Sequence, residues 1–202
     1  MTPTPALLWV DTETSGLDED RHYLLEVGFR VTDSDLHTIS EASWVVPWNA
    51  DGVRVHVRTA ADPGVDEMHD RSGLWAECSI PEEHGGMSVV HIARWSFEQW
   101  APRITYWLLK NEAKGLPLAG STVGFDRRWL EAWVPGFADV PHYRSVDVSS
   151  VKILMQMWAK GRLTDAPVPQ KRHRVMPDLD DSIAELAFYR SVLGLDIAEV
   201  TR

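Results

Sequence analysis

The sequence predicts an α/β domain with a mixed β-sheet, on the basis of three observations. Short apolar segments typical of strands come first in the chain, and segments with helical spacing are mixed in later. Two of the early strand segments are separated only by a polar turn, which indicates an antiparallel hairpin. The length of 202 residues suits one domain with a single core. We therefore expect residues 1–202 to form one domain whose sheet is not purely parallel.

The first half of the chain supplies the early strands. Residues 6–10 are continuously apolar, as in a short strand that is buried on both faces. Residues 23–31 and 38–46 are the predicted strands of the hairpin, with its turn at residues 33–35. Residues 62–90 are rich in Pro, Gly, Glu and Asp, and we expect them to be irregular.

The second half combines short strands with longer helices. Residues 116–119 and 144–148 are predicted strands, and residues 161–172 are predicted to form a flexible loop. Helical spacing predicts helices at residues 92–108, 126–134, 149–158 and 177–193. Pro102 either kinks the first of these helices or starts a new one, because proline has no amide hydrogen to donate.

The composition limits the partners that the chain can bind. Its formal net charge is −10, whereas a protein that grips a long nucleic acid usually carries a broad basic surface. The charge is compatible with a short substrate in a pocket and with carboxylates that bind cations. Cys78 is the only cysteine, so a reducing compartment is allowed. The apolar run at residues 6–10 is too short for a signal peptide or membrane span, and we expect a soluble, cytoplasmic protein.

Two acidic residues directly follow the first predicted strand. Asp11 and Glu13 alternate along the chain, so on an extended backbone they project to the same side. Two close, poorly solvated carboxylates repel each other unless a proton or cation lies between them, and Mg²⁺ or Mn²⁺ is the natural partner. Another acidic pair, Asp33 and Asp35, lies in a polar turn where solvated carboxylates need no metal. The position after a buried strand therefore favours Asp11 and Glu13 as metal ligands.

A further acidic residue, Asp126, begins the predicted helix at residues 126–134. It lies three and four residues before Trp129 and Leu130, and so on the same inward face of the helix. Aspartate is also a favoured N-cap residue, so capping of the helix is the alternative, and the two roles are compatible.

The last part of the chain adds a histidine and a choice of aspartates. Asp178 and Asp180 flank the apolar stripe of the last predicted helix on opposite sides, so helical spacing alone does not choose between them. His173, in the loop before this helix, can accept a proton near neutral pH. An ordinary exposed loop histidine is the alternative.

Six sequence blocks, in the same order, resemble the oligoribonuclease family, whose members are exonucleases with three aspartates, one glutamate and a catalytic histidine. The blocks are residues 9–18, 24–27, 68–74, 119–128, 142–150 and 173–190. The spacing between His173 and Asp178 matches the family and selects Asp178 over Asp180. Residues 75–91 and 161–172 match poorly, and the chain departs from the family pattern at Ser121, residues 170–172 and Pro177.

The resemblance implies a ribonuclease H-like fold, a mixed β-sheet flanked by α-helices, and two-metal hydrolysis of phosphodiester bonds. Asp11, Glu13 and Asp178 would bind one Mg²⁺ or Mn²⁺ ion. Asp11 would bridge to a second ion, which Asp126 would support directly or through water. His173 would accept the proton of the attacking water. The expected reaction is 3′→5′ hydrolysis of short single-stranded RNA or DNA, of two to about five nucleotides, to 5′-mononucleotides.

The resemblance also implies residues that hold the substrate, namely Leu17, His69, Ser72, Thr122, Tyr143, Arg144 and Ser149. Leu17 would wedge between two bases, and Arg144 and Ser149 would cap the 5′ phosphate. Tyr143 would reach into the site from a partner subunit, which requires a homodimer. Such a cap favours very short substrates, because a longer chain would collide with it. Ordinary packing is the alternative role for Leu17 and Tyr143.

Two other functions remain open at this point. One is an exonuclease of the same chemistry that acts on longer single-stranded DNA or RNA, as proofreading-type relatives do. The other is a nucleotide-binding module without catalytic activity. The first would degrade a long oligonucleotide as fast as a dinucleotide, and the second would show no metal-dependent hydrolysis.

Overall fold

The fold is built around a five-stranded β-sheet, in a computed structural model that describes residues 3–46, 48, 57–78 and 101–195. In chain order the strands are Leu7–Thr14 (β1), Leu24–Thr32 (β2), Thr38–Val45 (β3), Pro117–Gly120 (β4) and His142–Asp147 (β5). Across the sheet the order is β3-β2-β1-β4-β5. The pairs β1–β2 and β2–β3 are antiparallel, whereas β1–β4 and β4–β5 are parallel. The predicted mixed sheet with an early hairpin is confirmed.

The main helices lie close to the positions that helical spacing predicts, with one exception. In chain order they are Pro63–Ser72 (α1), Leu74–Glu77 (α2), residues 101–110 (α3), Gly124–Trp133 (α4), Val148–Trp158 (α5) and Val175–Val192 (α6). The part of the first predicted helix before residue 101 lies outside the described residues. None of the helices in the described ranges is long and apolar enough to span a membrane.

The exception is the segment of residues 62–90. The prediction of irregular structure is wrong for most of the described part of this segment, which is helical. α1 begins with Pro63, at a helical position where the missing amide hydrogen costs nothing, and is capped by Gly73 with a φ of 77°. Gly73 then leads directly into α2. The proline and glycine of this segment therefore mark helix ends instead of a loop.

The sheet buries hydrophobic side chains on both faces. Leu8 and Val10 of β1 belong to one core, whereas Trp9 belongs to a second core with Met155 of α5 and Leu179 of α6. β1 is therefore buried on both faces, as predicted. Because side chains alternate along a strand, every second residue after Trp9 faces the layer formed by α5 and α6.

The start of α6 packs closely against β2 at Gly28. A Cβ atom on this residue would lie 2.7 Å from the Cγ2 atom of Val175 in α6, a distance that real Cβ contacts do not show. Gly28 is the antiparallel partner of Asp11 in β1, so both residues face the same helix. The absence of a side chain at Gly28 therefore brings the first turn of α6 next to the acidic end of β1.

Candidate active site

Asp11 and Glu13 lie within β1, on the face that is covered by α6. Burial is the largest cause that raises the pKa of Asp11 well above its ordinary value, followed by the charges of Asp126 and Glu13. The pKa of Glu13 is also raised, first by burial and then by Asp178. The Oδ2 atom of Asp11 is buried and has no hydrogen-bond partner among the described residues. A buried carboxylate oxygen without a donor, beside other carboxylates that repel it, fits a divalent cation.

Asp126 lies beside these residues, in the first turn of α4. The N-cap of this helix is Val123, so the capping alternative for Asp126 is wrong. Its side chain is buried, and its Oδ1 atom accepts a hydrogen bond of 2.7 Å from the hydroxyl of Thr12. Burial raises the pKa of Asp126 to about 7, although the bond from Thr12 lowers it. Its charge is close enough to raise the pKa of Asp11.

His173 and Asp178 reach the same place from the start of α6. Each of Glu13, His173 and Asp178 offers one possible ligand atom, and these three atoms lie within 4.8 Å of one another. The Asp178 carboxylate accepts a hydrogen bond from the backbone of Arg172 at 3.2 Å. Burial raises the pKa of Asp178, against the lowering effects of Arg172 and His173. A grouping of two carboxylates and one imidazole is suited both to holding a cation and to accepting a proton.

Asp180, the alternative to Asp178, points elsewhere. Its side chain is mostly exposed, and its Oδ1 atom accepts a hydrogen bond of 2.6 Å from the Nη1 atom of Arg30. The two aspartates that helical spacing left undecided are therefore separated by the structure: Asp178 lies with Glu13 and His173, and Asp180 lies with Arg30 on β2.

Of the grouped residues, Asp11, His173 and Asp178 line an open cavity of about 460 Å³, whereas Glu13 and Asp126 are buried and do not line it. This volume is in the range of small-molecule sites. The cavity is lined by Asp11, Ser121, Thr122, Ser149, Lys152, Pro169, Lys171, His173, Asp178, Asp181, Ser182 and Glu185. A smaller cavity of about 220 Å³ adjoins it and shares Lys171 and His173.

The residues expected to hold the substrate lie at different depths. Thr122 and Ser149 line the main cavity, and their hydroxyl oxygens are 3.1 Å apart. Leu17 is 69% exposed and Tyr143 is 73% exposed. The guanidinium of Arg144 lies over the ring of Tyr143, at 4.9 Å from its centroid.

The other two expected substrate residues lie in the last turn of α1. Ser72 lines the smaller cavity. His69 is fully buried, and its Nε2 atom donates a hydrogen bond of 2.9 Å to the carbonyl of Thr14. The same nitrogen lies 3.8 Å from the Glu13 carboxylate. His69 therefore lies behind the carboxylates and does not form part of the cavity surface.

Sequence reasoning missed a buried polar group at the cavity. The Glu185 carboxylate of α6 accepts a 2.6 Å bond from the Tyr189 hydroxyl and lies 2.7 Å from the Lys152 amine. Glu185 is buried, and both Lys152 and Glu185 line the main cavity. The sequence spacing could have indicated Glu185, because it lies seven residues after Asp178 and so on the same face of the helix.

Comparison with known proteins gives relatives along nearly the whole chain. No protein-family model matches. A protein named oligoribonuclease from Tropheryma whipplei is 35% identical over 191 residues, which cover 94% of this chain and 95% of that one. Another from Colwellia psychrerythraea is 30% identical and covers 92% and 94%. The mitochondrial oligoribonuclease of Bos taurus is 30% identical and covers 92% and 72%.

Solved structures with the same fold include exonuclease I proteins. The zinc-bound E. coli exonuclease I in complex with single-stranded DNA has a TM-score of 0.57 at 13% identity, over 96% of this chain. The exonuclease I from Methylocaldum szegediense has a TM-score of 0.58 at 15% identity, over 92% of this chain. The chain spans only 42% and 40% of these two proteins.

Proposed function

Because the chain belongs to the oligoribonuclease family and is a 3′→5′ exonuclease, we propose that it hydrolyses very short oligonucleotides, of two to about five nucleotides, to 5′-mononucleotides. The observation that carries the proposal is the meeting of Glu13, His173 and Asp178 within 4.8 Å of one another. His173 and Asp178 line a cavity together with Asp11, and Glu13 is buried. Single-stranded RNA or DNA is the proposed class of substrate.

Two divalent cations, Mg²⁺ or Mn²⁺, are part of this proposal. Asp11, Glu13 and Asp178 would hold one ion. Asp11 would share in holding the second, with support from Asp126. The Oδ2 atom of Asp11, which has no hydrogen-bond partner among the described residues, and the raised pKa values of these acids support the assignment. When bound, such a pair of cations stabilises negative charge on the attacking and leaving oxygens.

His173 is the proposed general base. Its imidazole would accept a proton from the attacking water, while the bond between phosphorus and the 3′ oxygen of the preceding nucleotide breaks. The released nucleotide keeps the phosphate on its 5′ oxygen. The carboxylates of Glu13 and Asp178 each place an oxygen within 4.8 Å of a ring nitrogen of His173.

The preference for short substrates follows from the proposed substrate contacts. Thr122 and Ser149 lie in the cavity wall, and Arg144 would close the 5′ end with Ser149 as a phosphate cap. The exposed Leu17 would separate two bases. A dinucleotide needs few phosphate contacts, which is consistent with the net charge of −10.

We also propose a homodimer in which Tyr143 reaches the partner's site. Tyr143 lies on β5, at the edge of the sheet, and is 73% exposed. The neighbouring helix α5 exposes further apolar side chains, namely Ile153, Leu154, Met157 and Trp158. A second copy of the chain would bury this apolar strip and the edge strand together.

The test combines substrate length with two site variants. We expect turnover of 5′-labelled dinucleotides with Mn²⁺ or Mg²⁺, loss of activity with a chelator, and slow cleavage of long oligonucleotides. Asp11→Ala and His173→Ala should lower kcat by at least about 100-fold. His37→Ala is the matched control, because His37 is an exposed histidine in the β2–β3 turn.

Several results would contradict the proposal. Near wild-type turnover of Asp11→Ala or His173→Ala with Mn²⁺ would remove these residues from the mechanism. Equal rates on long and short oligonucleotides would favour a proofreading-type exonuclease. A folded protein without metal-dependent hydrolysis would be a nucleotide-binding module.

A further inference from the structure

Arg174, the residue after His173, links two carboxylates from distant parts of the chain. Its Nε atom donates a 2.8 Å hydrogen bond to Glu26 of β2, and its Nη2 atom donates a second one of 3.2 Å. Its Nη1 and Nη2 atoms each donate a 2.7 Å bond to Glu77 of α2. Paired bonds of this kind fix the orientation of a guanidinium as well as its position. We call Glu26, Arg174 and Glu77 the arginine clamp.

The inner member of the clamp lies next to the candidate metal ligands. Glu26 is buried, and it is the antiparallel partner of Glu13, so both carboxylates face α6. A buried carboxylate without a partner is costly, and Arg174 supplies the missing positive charge. The charge of Arg174 also lowers the pKa of Glu13, against the larger effects that raise it.

The clamp holds a segment whose backbone is strained. His173 has a φ of 53° and Lys171 a φ of 47°, both in the left-handed region that side chains other than glycine disfavour. Such a conformation persists only when the surrounding structure holds it in place. The clamp fixes the next residue, Arg174, and α6 begins at Val175.

We propose that the arginine clamp positions His173 and Asp178 for the reaction, with Glu26, Arg174 and Glu77 as positioning residues. The inference rests on the roles proposed above for His173 and Asp178. Within the described residues, the guanidinium of Arg174 bonds to Glu26 and Glu77 and not to the side chain of His173 or Asp178. It therefore acts on these two residues through the backbone at the start of α6.

Arg30, which lies on β2, provides a matched comparison for Arg174. Arg30 also joins two carboxylates, Glu41 of β3 and Asp180 of α6, with bonds of 2.8 and 2.6 Å. Glu26 and Arg30 lie two residues to either side of Gly28 on the same face of β2. Both arginines therefore tie the start of α6 to the sheet, but only Arg174 adjoins His173.

The experiment compares Arg174→Met with Arg30→Met in the full chain, on a dinucleotide with Mn²⁺. We expect Arg174→Met to lower kcat about 10- to 100-fold, with KM changed by less than about threefold. Arg174→Lys should recover part of the loss, because lysine can still reach one carboxylate. Hydrogen exchange of the amides at residues 171–176 should become faster in Arg174→Met. Arg30→Met should lower the melting temperature and leave kcat unchanged.

Two further variants keep the test decisive if Arg174→Met does not fold. Glu77→Gln removes only the half-exposed outer carboxylate, and Glu26→Gln with Arg174→Met removes the buried charge together with its partner. Each should lower kcat and speed amide exchange at residues 171–176. Unchanged kcat and exchange in these folded variants would overturn the clamp, as would an equal loss of kcat in Arg30→Met.

Failure of the proposed function gives a different result. If His173→Ala retained turnover, the assignment of the general base would be wrong. Amide exchange at residues 171–176 does not depend on turnover, so it would still decide whether Arg174 holds this segment.

Discussion

Asp126 is a buried carboxyl group that makes the stability of the protein depend on pH. Burial raises its pKa to about 7, although the hydrogen bond from Thr12 lowers it. Because this pKa lies above that of an unfolded aspartate, the fold favours the neutral form. The stability that Asp126 contributes is therefore present at low pH and is lost as the pH rises through about 7.

We expect Asp126→Asn to stabilise the metal-free protein above neutral pH. The amide stays neutral, and its oxygen can still accept the hydrogen bond from Thr12. With a chelator present, calorimetry should show a melting temperature raised by at least about 3 °C at about pH 8 and unchanged at about pH 4. Turnover with Mn²⁺ should fall, because an amide binds cations more weakly than a carboxylate. An equal thermal shift at both pH values would contradict the pKa argument.

At the scale of elements, the close packing of α6 on β2 depends on Gly28. A methyl group there would meet Val175, a buried and β-branched side chain with few rotamers. α6 would have to move away from the sheet, and it would carry His173 and Asp178 away from Glu13. Stability and catalysis are therefore coupled through this contact.

Gly28→Ala should lower the free energy of unfolding by roughly 1–3 kcal/mol and also lower kcat. Adding Val175→Ala makes room for the new methyl group, so the double variant should regain turnover relative to Gly28→Ala alone. Gly64→Ala is the control, since in the described part of the chain no heavy atom outside the Gly64 neighbours and their own helix lies within 4 Å of a Cβ at Gly64. Denaturant unfolding and dinucleotide kinetics would check both effects. Full activity of Gly28→Ala would mean that α6 tolerates the shift.

The sequence predicted those elements whose signals are local. β1 to β3 and α4 to α6 follow from apolar spacing and turns within a few residues. α1 and α2 were missed, because Pro63 and Gly73 occur at helix ends as well as in loops.

The site was predicted less completely, for a different physical reason. Asp11 and Glu13 share one strand, so their common side follows from alternation alone. The bond from Arg174 to Glu26 joins residues 148 positions apart, and only the tertiary structure brings them together. The burial of His69 likewise depends on how α1 packs behind β1, which no local pattern records.

At the scale of the whole molecule, large apolar side chains are exposed where a second copy of the chain could pack. Tyr143 on β5 and Trp158 on α5 are 73% and 71% exposed. The proposed homodimer would cover both and would complete each site with the partner's Tyr143. One domain over residues 1–202 and a cytoplasmic location stay predictions.

Mixing two inactive variants would test whether Tyr143 acts across subunits. Tyr143→Ala and His173→Ala should each have low dinucleotide turnover as homodimers. In a mixed dimer, the subunit that keeps His173 receives Tyr143 from its partner. Random mixing makes half of the dimers mixed, each with one complete site of two, so about a quarter of wild-type activity should return.

Sedimentation and a matched variant complete this test. Trp158→Asp should shift the protein towards a monomer and lower turnover, whereas Tyr106→Ala changes an exposed tyrosine on α3 and should do neither. No recovery on mixing, or a fully active Trp158→Asp monomer, would show that each subunit works alone.

The two faces of β1 carry different side chains. Leu8 and Val10 face one core, while Trp9, Asp11 and Glu13 face the other side. A slip of one residue in the pairing of β1 would turn both carboxylates into a hydrophobic core and leave Val10 and Thr12 where the acids belong. A misregistered molecule would thus be inert as well as unstable. Only molecules in which β1 has paired in the correct register can turn over substrate. Activity per folded molecule therefore measures the fraction of molecules with correct strand pairing.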